Sequence, residues 1–129
     1  MEDIVVNKIT WKFVKPLKNK FAVEEFLKEK RIELPDGLVE CIRDNNGGRP
    51  SVFLFDTNKR NEYVFQSLFS YNYGDKCNIY DIFPNFEKTK YFPIGLEAAG
   101  NIICYEMDNR NYVLWNHETA EIEIIINLE

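Results

Sequence analysis

Near residue 45 the chain carries a strong helix stop, Asn45-Asn46-Gly47-Gly48, followed by Pro50. Asparagine and glycine tolerate the left-handed backbone that ends a helix, and proline keeps a helix from resuming. Before this stop the apolar residues repeat with helical spacing, and after it they follow strand-like patterns. This order of helices and then strands predicts an α+β fold.

Two helices are predicted before the stop. Residues 20–30 place apolar side chains at i, i+3, i+4 spacing, and Asn19 is the predicted N-cap. The second helix has Pro35 suited to its first turn, Asp36 as its cap, and an end near Asp44. Ahead of both, Trp11 and an alternating Phe13 indicate an extended segment that Pro16 ends, while helix and strand stay open for the first nine residues.

The remainder is predicted to be rich in strands. Residues 52–55 form a short strand, 63–69 a strand or a short helical piece, 71–75 a loop, and 78–88 contain a helical turn. Residues 101–107, 111–116 and 121–127 are three strands joined by hairpin-length turns. In the last of these, Ile122, Ile124 and Ile126 are predicted to form the core face.

Length and charge narrow the possible partners. The 129 residues, 15.3 kDa in mass, fit one domain over 1–129. Lys and Arg number 16 against 21 Asp and Glu, so the net charge is −5. This acidity disfavours a direct nucleic-acid partner or an anionic membrane. Four lysines near the start interleave with aromatics, but we interpret them as a rim around a buried Trp11 and Phe13: Lys12, Lys15, Lys18 and Lys20.

Compartment is inferred from the first residues and the cysteines. Glu2 and Asp3 stand where a secretory signal would carry Lys or Arg, and no run approaches the roughly 18 apolar residues of a spanning helix. Cys41, Cys77 and Cys104 are odd in number and far apart, which predicts free buried thiols. We therefore expect a soluble, cytoplasmic protein.

The residues offer little for catalysis. His117 is the only histidine and falls in a predicted solvated turn, and a metal site with the cysteines would need four distant segments to converge. Gly47-Gly48 lacks the pattern of a phosphate loop. The paired Glu24 and Glu25 point apart on a helix. We predict no enzyme activity, no cofactor and no metal.

Two blocks of the sequence resemble the SUKH superfamily, which includes the fungal regulators of cell-wall glucan synthesis. The first block carries an acidic residue, a Leu-Pro step, a short apolar helix and Asn-Gly-Gly: Glu25, Leu34-Pro35, 38–42 and Asn46-Gly47-Gly48. The second block carries a proline-led strand, then a glycine, a polar residue and a buried strand: Phe92-Pro93-Ile94-Gly95 and Gly100-Asn101-Ile102-Ile103-Cys104-Tyr105. The resemblance covers residues 21–115, and Asn101 and Glu106 stand where the family usually has Asp.

The resemblance implies an α+β domain whose N-terminal helices pack on a mixed, largely antiparallel sheet. It also implies an immunity protein that binds and neutralises a cognate toxin domain, a basic one such as a nuclease. A scaffold or regulator of cell-wall synthesis is the alternative, and the oligomeric state stays open. The structural motif residues are Leu34, Pro35, Asn46, Gly47, Gly48 and Gly100. Exposed acidic and aromatic candidates for partner binding are Glu62, Tyr63, Tyr71, Tyr73, Asp75 and Tyr112.

Overall fold

The computed structural model describes residues 9–126. Three α-helices and eight strands occur in this part of the chain. Their order is β1 (Trp11–Lys12), α1 (Ala22–Lys30), α2 (Asp36–Asp44), β2 (Arg49–Pro50), β3 (Leu54–Phe55), β4 (Tyr63–Leu68), α3 (Ile79–Ile82), β5 (Tyr91–Glu97), β6 (Ile102–Glu106), β7 (Asn111–Trp115) and β8 (Ile122–Ile124). A 3₁₀ turn, Phe83–Asn85, follows α3 directly.

The strands form one large sheet and one small one. Six strands pair in chain order from β3 to β8, and β1 pairs with β2. Each of these strand pairs is antiparallel, and the parallel pairing seen in the described residues is an isolated bridge between Ser70 and Asn78. The predicted α+β class, with helices packed on a largely antiparallel sheet, is confirmed.

The large sheet curls until its first and last strands meet. Thr57, just after β3, bridges Ile125, just after β8, and the Asn58 N–H donates to the Ile124 carbonyl at 2.9 Å. Glu123 adds a side-chain bond, accepting from the hydroxyls of Thr57 at 2.6 Å and Tyr63 at 2.9 Å. We call Glu123, Thr57 and Tyr63 the Glu123 junction.

This closure overturns the predicted core face of the last strand. Ile124 and Ile126 are 39% and 63% exposed, whereas Ile125 is buried. Glu123 and Ile125 lie on the strand face that meets Thr57 at the closing seam, so Ile124 and Ile126 face outward. Ile122 alone keeps the predicted contact, because it packs half-buried against the core. Residue 127 of the predicted strand, like the first eight residues of the chain, lies outside the described residues.

The helices cover the sheet through a cluster of aromatic rings. Helix α1 buries Ala22, Val23, Phe26 and Leu27. The Phe26 ring lies 5.2–6.4 Å from four other ring centroids, mostly edge to face: Tyr71, Tyr80, Phe83 and Phe92. Such edge contacts add stability beyond area burial, so Phe26 anchors α1 to the core.

Both helix starts differ from prediction, while the stop is confirmed. Helix α1 begins at Ala22, and Asn19 instead accepts the Phe21 N–H in a local turn. Pro35, not Asp36, holds the N-cap position of α2. That helix ends at Asp44, and Gly47 has φ +69°, the left-handed conformation that the glycine run predicts.

The strand predictions hold with shorter bounds. Of residues 52–55 only the last two pair, as β3, and residues 63–68 are a strand, not a helix. The helical turn within 78–88 is α3 with its 3₁₀ extension. The three C-terminal strands and their two hairpin turns are confirmed.

Two burial predictions are wrong. Trp11 is half-buried, but Phe13 is 75% exposed at φ 60°, so the lysines do not rim a buried Phe13. The cysteines are free, yet Cys77 is exposed and Cys41 half-buried, leaving Cys104 as the buried one. Within residues 9–126 no helix has the length and apolar character needed to cross a bilayer.

Candidate functional site: an exposed tyrosine on a hydrogen-bonded loop

The Asn-Gly-Gly segment and the loop after β4 are held together by a buried polar network. Asn46, 1% exposed, donates through Nδ2 to the Lys15 carbonyl at 2.9 Å and to Ser70 Oγ at 3.1 Å. Its Oδ1 accepts the Tyr71 N–H at 2.7 Å. One side chain therefore ties the N-terminal segment, the helix stop and the β4 exit to one another.

The network extends through the loop itself. Ser70 Oγ donates to Asp75 Oδ2 at 2.8 Å and accepts the Asn72 N–H. Asn72 Oδ1 accepts the Lys18 N–H at 2.9 Å, and its Nδ2 donates to the Pro16 carbonyl at 3.0 Å. We call Asn46, Ser70, Asn72 and Asp75, with the backbone groups they bind, the Asn46 junction.

Hydrogen bonds favour the ionised form of Asp75, the carboxylate of this junction. The Ser70 hydroxyl, which donates to Asp75, lowers the pKa of that carboxyl, and the Asn72 amide adds to the effect. Asp75 is therefore ionised at neutral pH, and its carboxylate accepts the hydrogen bonds from Ser70 and Asn72 that hold the loop.

Tyr73 lies at the tip of this loop and is 75% exposed. Its ring stacks on Tyr80 of α3 with centroids 3.8 Å apart and planes 12° from parallel. Tyr80 is fixed in turn because its hydroxyl donates to the Tyr71 carbonyl at 3.1 Å. The exposed Tyr73 ring therefore stacks on the Tyr80 ring, which is itself hydrogen-bonded to the loop.

Carboxylates of α1 lie beside the stacked rings. Burial of the Tyr80 hydroxyl, the neighbouring Tyr73 hydroxyl and the charges of Glu25 and Glu29 together raise the pKa of Tyr80 to about 12. Both glutamates are exposed. We call Tyr73, Tyr80, Glu25 and Glu29 the Tyr73 surface, which offers a flat aromatic face next to negative charge.

The six candidate partner-binding residues do not share one surface. Glu62 and Tyr63 lie at the start of β4, while Tyr71, Tyr73 and Asp75 lie beyond its other end. Tyr112 is half-buried in β7 and packs on Tyr105, with centroids 5.5 Å apart.

Two of the six are buried, contrary to the expectation of exposure on which they were chosen. Tyr63 is 7% exposed because it stacks on Phe55 and donates to Glu123, and burial raises its pKa. Tyr71 is 3% exposed under Phe26, and burial raises its pKa strongly. The Tyr71 hydroxyl has no hydrogen-bond partner among the described residues. The apolar alternation around Tyr63 and the loop position of Tyr71 could not reveal that both rings lie in the core.

The structural motif residues shape the polypeptide without lining the Tyr73 surface. Gly48 sits so close to other atoms that an added Cβ would lie 2.9 Å from the Asn45 carbonyl oxygen. Gly100, at φ +97°, lies under the His117 ring. The Pro35 carbonyl accepts the N–H groups of residues 38 and 39 at the start of α2, and Leu34 packs half-buried against the core.

Sequence reasoning missed Tyr80, Ser70 and Asn72, and it named Asn46 and Asp75 without predicting the hydrogen bonds that join them to the junction. Asn78 caps α3 by accepting the Asp81 N–H, so the Asn-x-x-Asp spacing could have located the helix that carries Tyr80. No local pattern joins Asn46 to Ser70 and Asn72, because their partners lie more than 20 residues away.

The side chains best suited to acid–base chemistry, His117, Glu97 and Glu106, each contact another side chain of the domain. His117 is exposed, as predicted, and its Nδ1 lies 2.8 Å from Asn101 Oδ1. Buried Glu97 accepts from Asn101, and buried Glu106 pairs with Lys90 at 2.9 Å. Within residues 9–126 no three His, Cys, Asp or Glu side chains are grouped to hold a metal ion.

Fold and site together define a small α+β domain that presents an exposed aromatic surface. The model of the SMI1 / KNR4 family (SUKH-1) matches residues 20–127, which is most of the chain. The chain belongs to this family, as the two sequence blocks suggested, and the match extends past them to include β8. No curated protein and no solved structure matches the chain.

Proposed function

We propose that this chain is a cytoplasmic immunity protein that binds a cognate toxin domain and blocks it by stoichiometric association. Membership of the SUKH-1 family supports this role. The observation that carries it furthest is the supported, exposed ring of Tyr73 beside the α1 carboxylates.

Binding through Tyr73 requires little conformational ordering. A tyrosine that is already stacked and held by a bonded loop loses few rotamers when a partner covers it. Tyrosines in such positions are over-represented among the residues that dominate interface energies. Tyr73 is therefore the proposed anchor of the interface.

Charge defines the proposed partner. Glu25 and Glu29 favour an arginine or lysine placed over the tyrosine face, where cation–π attraction adds to the ion pair. A toxin that grips phosphate needs such cations, so a basic toxin, for example a nuclease, fits this surface. Covering its cations with an acidic surface both speeds association and blocks the phosphate site.

Co-expression with the toxin domain encoded beside this gene tests the proposal. Cell survival together with a one-to-one complex on purification is the expected result. Tyr73→Ala should weaken the complex at least about ten-fold while leaving the unfolding midpoint nearly unchanged. Glu25→Lys combined with Glu29→Lys should slow association and lower its dependence on salt.

The chain offers matched controls. Phe13 is as exposed as Tyr73, at 75%, but lies on a different surface, so Phe13→Gly should leave toxin binding intact. Glu118→Lys combined with Glu121→Lys makes the same change in net charge as the α1 pair, at two exposed sites just before β8. Rescue without a complex, or equal losses in Tyr73→Ala and Phe13→Gly, contradicts the proposed interface.

A scaffold or regulator that joins several partners is the second candidate. This role is favoured by a second exposed aromatic side chain, Phe13, which lies among lysine and arginine residues and not beside glutamates. A scaffold predicts several moderate partners and no neutralised activity. Survival assays with the neighbouring toxin therefore separate the two roles.

A further inference from the structure

A second exposed aromatic side chain, Phe13, lies in a strained backbone conformation. Its φ of 60° is rare for a bulky residue, and its side chain is 75% exposed. Strain of this kind is maintained only where the surrounding structure fixes it. Here strand β1 ends at Lys12, and the Lys15 N–H bonds to the Asn46 carbonyl at 2.8 Å, so the chain is held on both sides of Phe13.

Phe13 separates two adjoining cavities. One, of about 320 Å³, is bordered by Lys12, Pro50 and Phe53, and the other, of about 240 Å³, by Lys15, Leu68 and Lys76. Phe13 and Arg49 line both cavities. The two cavities therefore form one continuous surface with an exposed ring at its centre.

The charge of this surface is opposite to that of the chain. Four cations line the two cavities: Lys12, Lys15, Arg49 and Lys76. None of the described residues that line them is Asp or Glu, although acidic residues outnumber basic ones by 21 to 16 in the chain. The Arg49 guanidinium lies 4.6 Å from the centroid of the Phe53 ring, which keeps that cation at the surface.

Phe53, which lines the larger of the two cavities, is 39% exposed, and its neighbours in the chain are exposed aliphatic residues. Val52 and Leu54 are 62% and 46% exposed on either side of Phe53. Such neighbouring apolar groups are typical of surfaces that bind another polypeptide. We call Phe13, Arg49, Phe53 and the three lining lysines the Phe13 surface.

We propose that the Phe13 surface binds an acidic polypeptide segment of a partner protein, in which carboxylates alternate with apolar side chains. The four cations match the carboxylates, and Phe13 and Phe53 match the apolar groups. A nucleic acid fits less well because the net charge of −5 repels phosphates. This inference is independent of the toxin-binding role and of the Tyr73 surface.

Titration with a synthetic fluorescein-labelled peptide of alternating glutamate, leucine and phenylalanine tests the proposal. We expect saturable binding that weakens with salt, and amide shifts in labelled protein centred on Phe13, Arg49 and Lys76. A peptide with lysine in place of each glutamate should not bind. Lys12→Glu combined with Lys76→Glu should lower the affinity for the acidic peptide at least about ten-fold.

Matched variants keep the test independent of folding. Lys28→Glu with Lys59→Glu makes the same change in net charge at exposed sites elsewhere and should leave affinity within about two-fold. Phe13→Gly removes the ring while suiting the positive φ, so the fold is retained and affinity should fall several-fold. Equal losses in both lysine pairs, or tighter binding of oligothymidylate than of the acidic peptide, would overturn the proposal.

Discussion

The Asn46 junction and the Glu123 junction each join segments that are far apart in the chain, but they do so with different chemical groups. The first joins the helical part to the end of β4 through a fully buried amide that bonds on both its donor and acceptor sides. The second joins the two edges of the sheet through a half-buried carboxylate that accepts from two hydroxyls. A buried amide has no access to water when its bonds are lost, whereas a half-buried carboxylate does.

This difference indicates where rigidity matters for function. The Asn46 junction lies beneath the loop that carries Tyr73, so its loss should disturb both folding and binding. The Glu123 junction closes the sheet at a seam that also has backbone hydrogen bonds. Its loss should therefore cost less and leave the Tyr73 surface in place.

The largest expected effect comes from Asn46→Ala. Removing the amide leaves the buried Tyr71 N–H without its acceptor and breaks the partly buried bond to the Lys15 carbonyl, which should lower the free energy of unfolding by about 3 kcal/mol. Urea denaturation measures this loss. Asn61→Ala, at an exposed position, should change stability by less than about 0.5 kcal/mol, and a similar loss in both variants would contradict the role of the junction.

Gly48→Ala sharpens the comparison by testing how tightly the Asn46 junction is packed. The new Cβ would lie 2.9 Å from the Asn45 carbonyl oxygen and 3.0 Å from a Val14 methyl, so the unfolding free energy should fall by about 2 kcal/mol. Gly37→Ala is the matched control, because no atom lies within 4 Å of its added Cβ in α2. That variant should gain about 0.5 kcal/mol from helix propensity, and a thermal melt that ranks the two in the opposite order refutes the packing argument.

A double-mutant cycle on Tyr63→Phe and Glu123→Ala measures the other junction. Each single change should cost about 1 kcal/mol, and the pair should cost less than the sum because the two side chains share one hydrogen bond. Strictly additive losses in urea denaturation would show that this bond does not couple the sheet edges. Glu121→Ala, exposed just before β8, serves as the control.

The smallest effect at neutral pH is expected for Asp75→Asn, since the amide oxygen can still accept from Ser70. Acid reveals the difference. The lowered pKa of Asp75 means that its contribution to stability is present above the unfolded pKa of about 3.9 and is lost as pH falls through the folded value. Asp75→Asn should therefore lose less stability than wild type between neutral and acid pH, measured by urea midpoints across that range. An unchanged acid profile, or an equal change in exposed Asp108→Asn, contradicts the assignment.

Local sequence patterns found the elements well but placed individual side chains poorly. Hairpin-length turns predicted β6, β7 and β8 because short loops leave few ways to connect neighbouring strands. The choice between the two faces of the last strand failed, since alternating isoleucines beside Ile125 offer apolar residues on both sides. Tyr71 and Tyr73 are two residues apart in one loop, yet one is 3% and the other 75% exposed.

The sequence by itself determined the helix stop, the change from helix to strand and the family, because these depend on residues close together in the chain. Tertiary structure alone decided that Asn46 reaches Ser70, that Glu123 closes the sheet onto Tyr63, and that Tyr73 stacks on Tyr80. These contacts depend on how the sheet curls and how α1 packs across it, since which polar and aromatic groups meet is set by segments far apart in the chain.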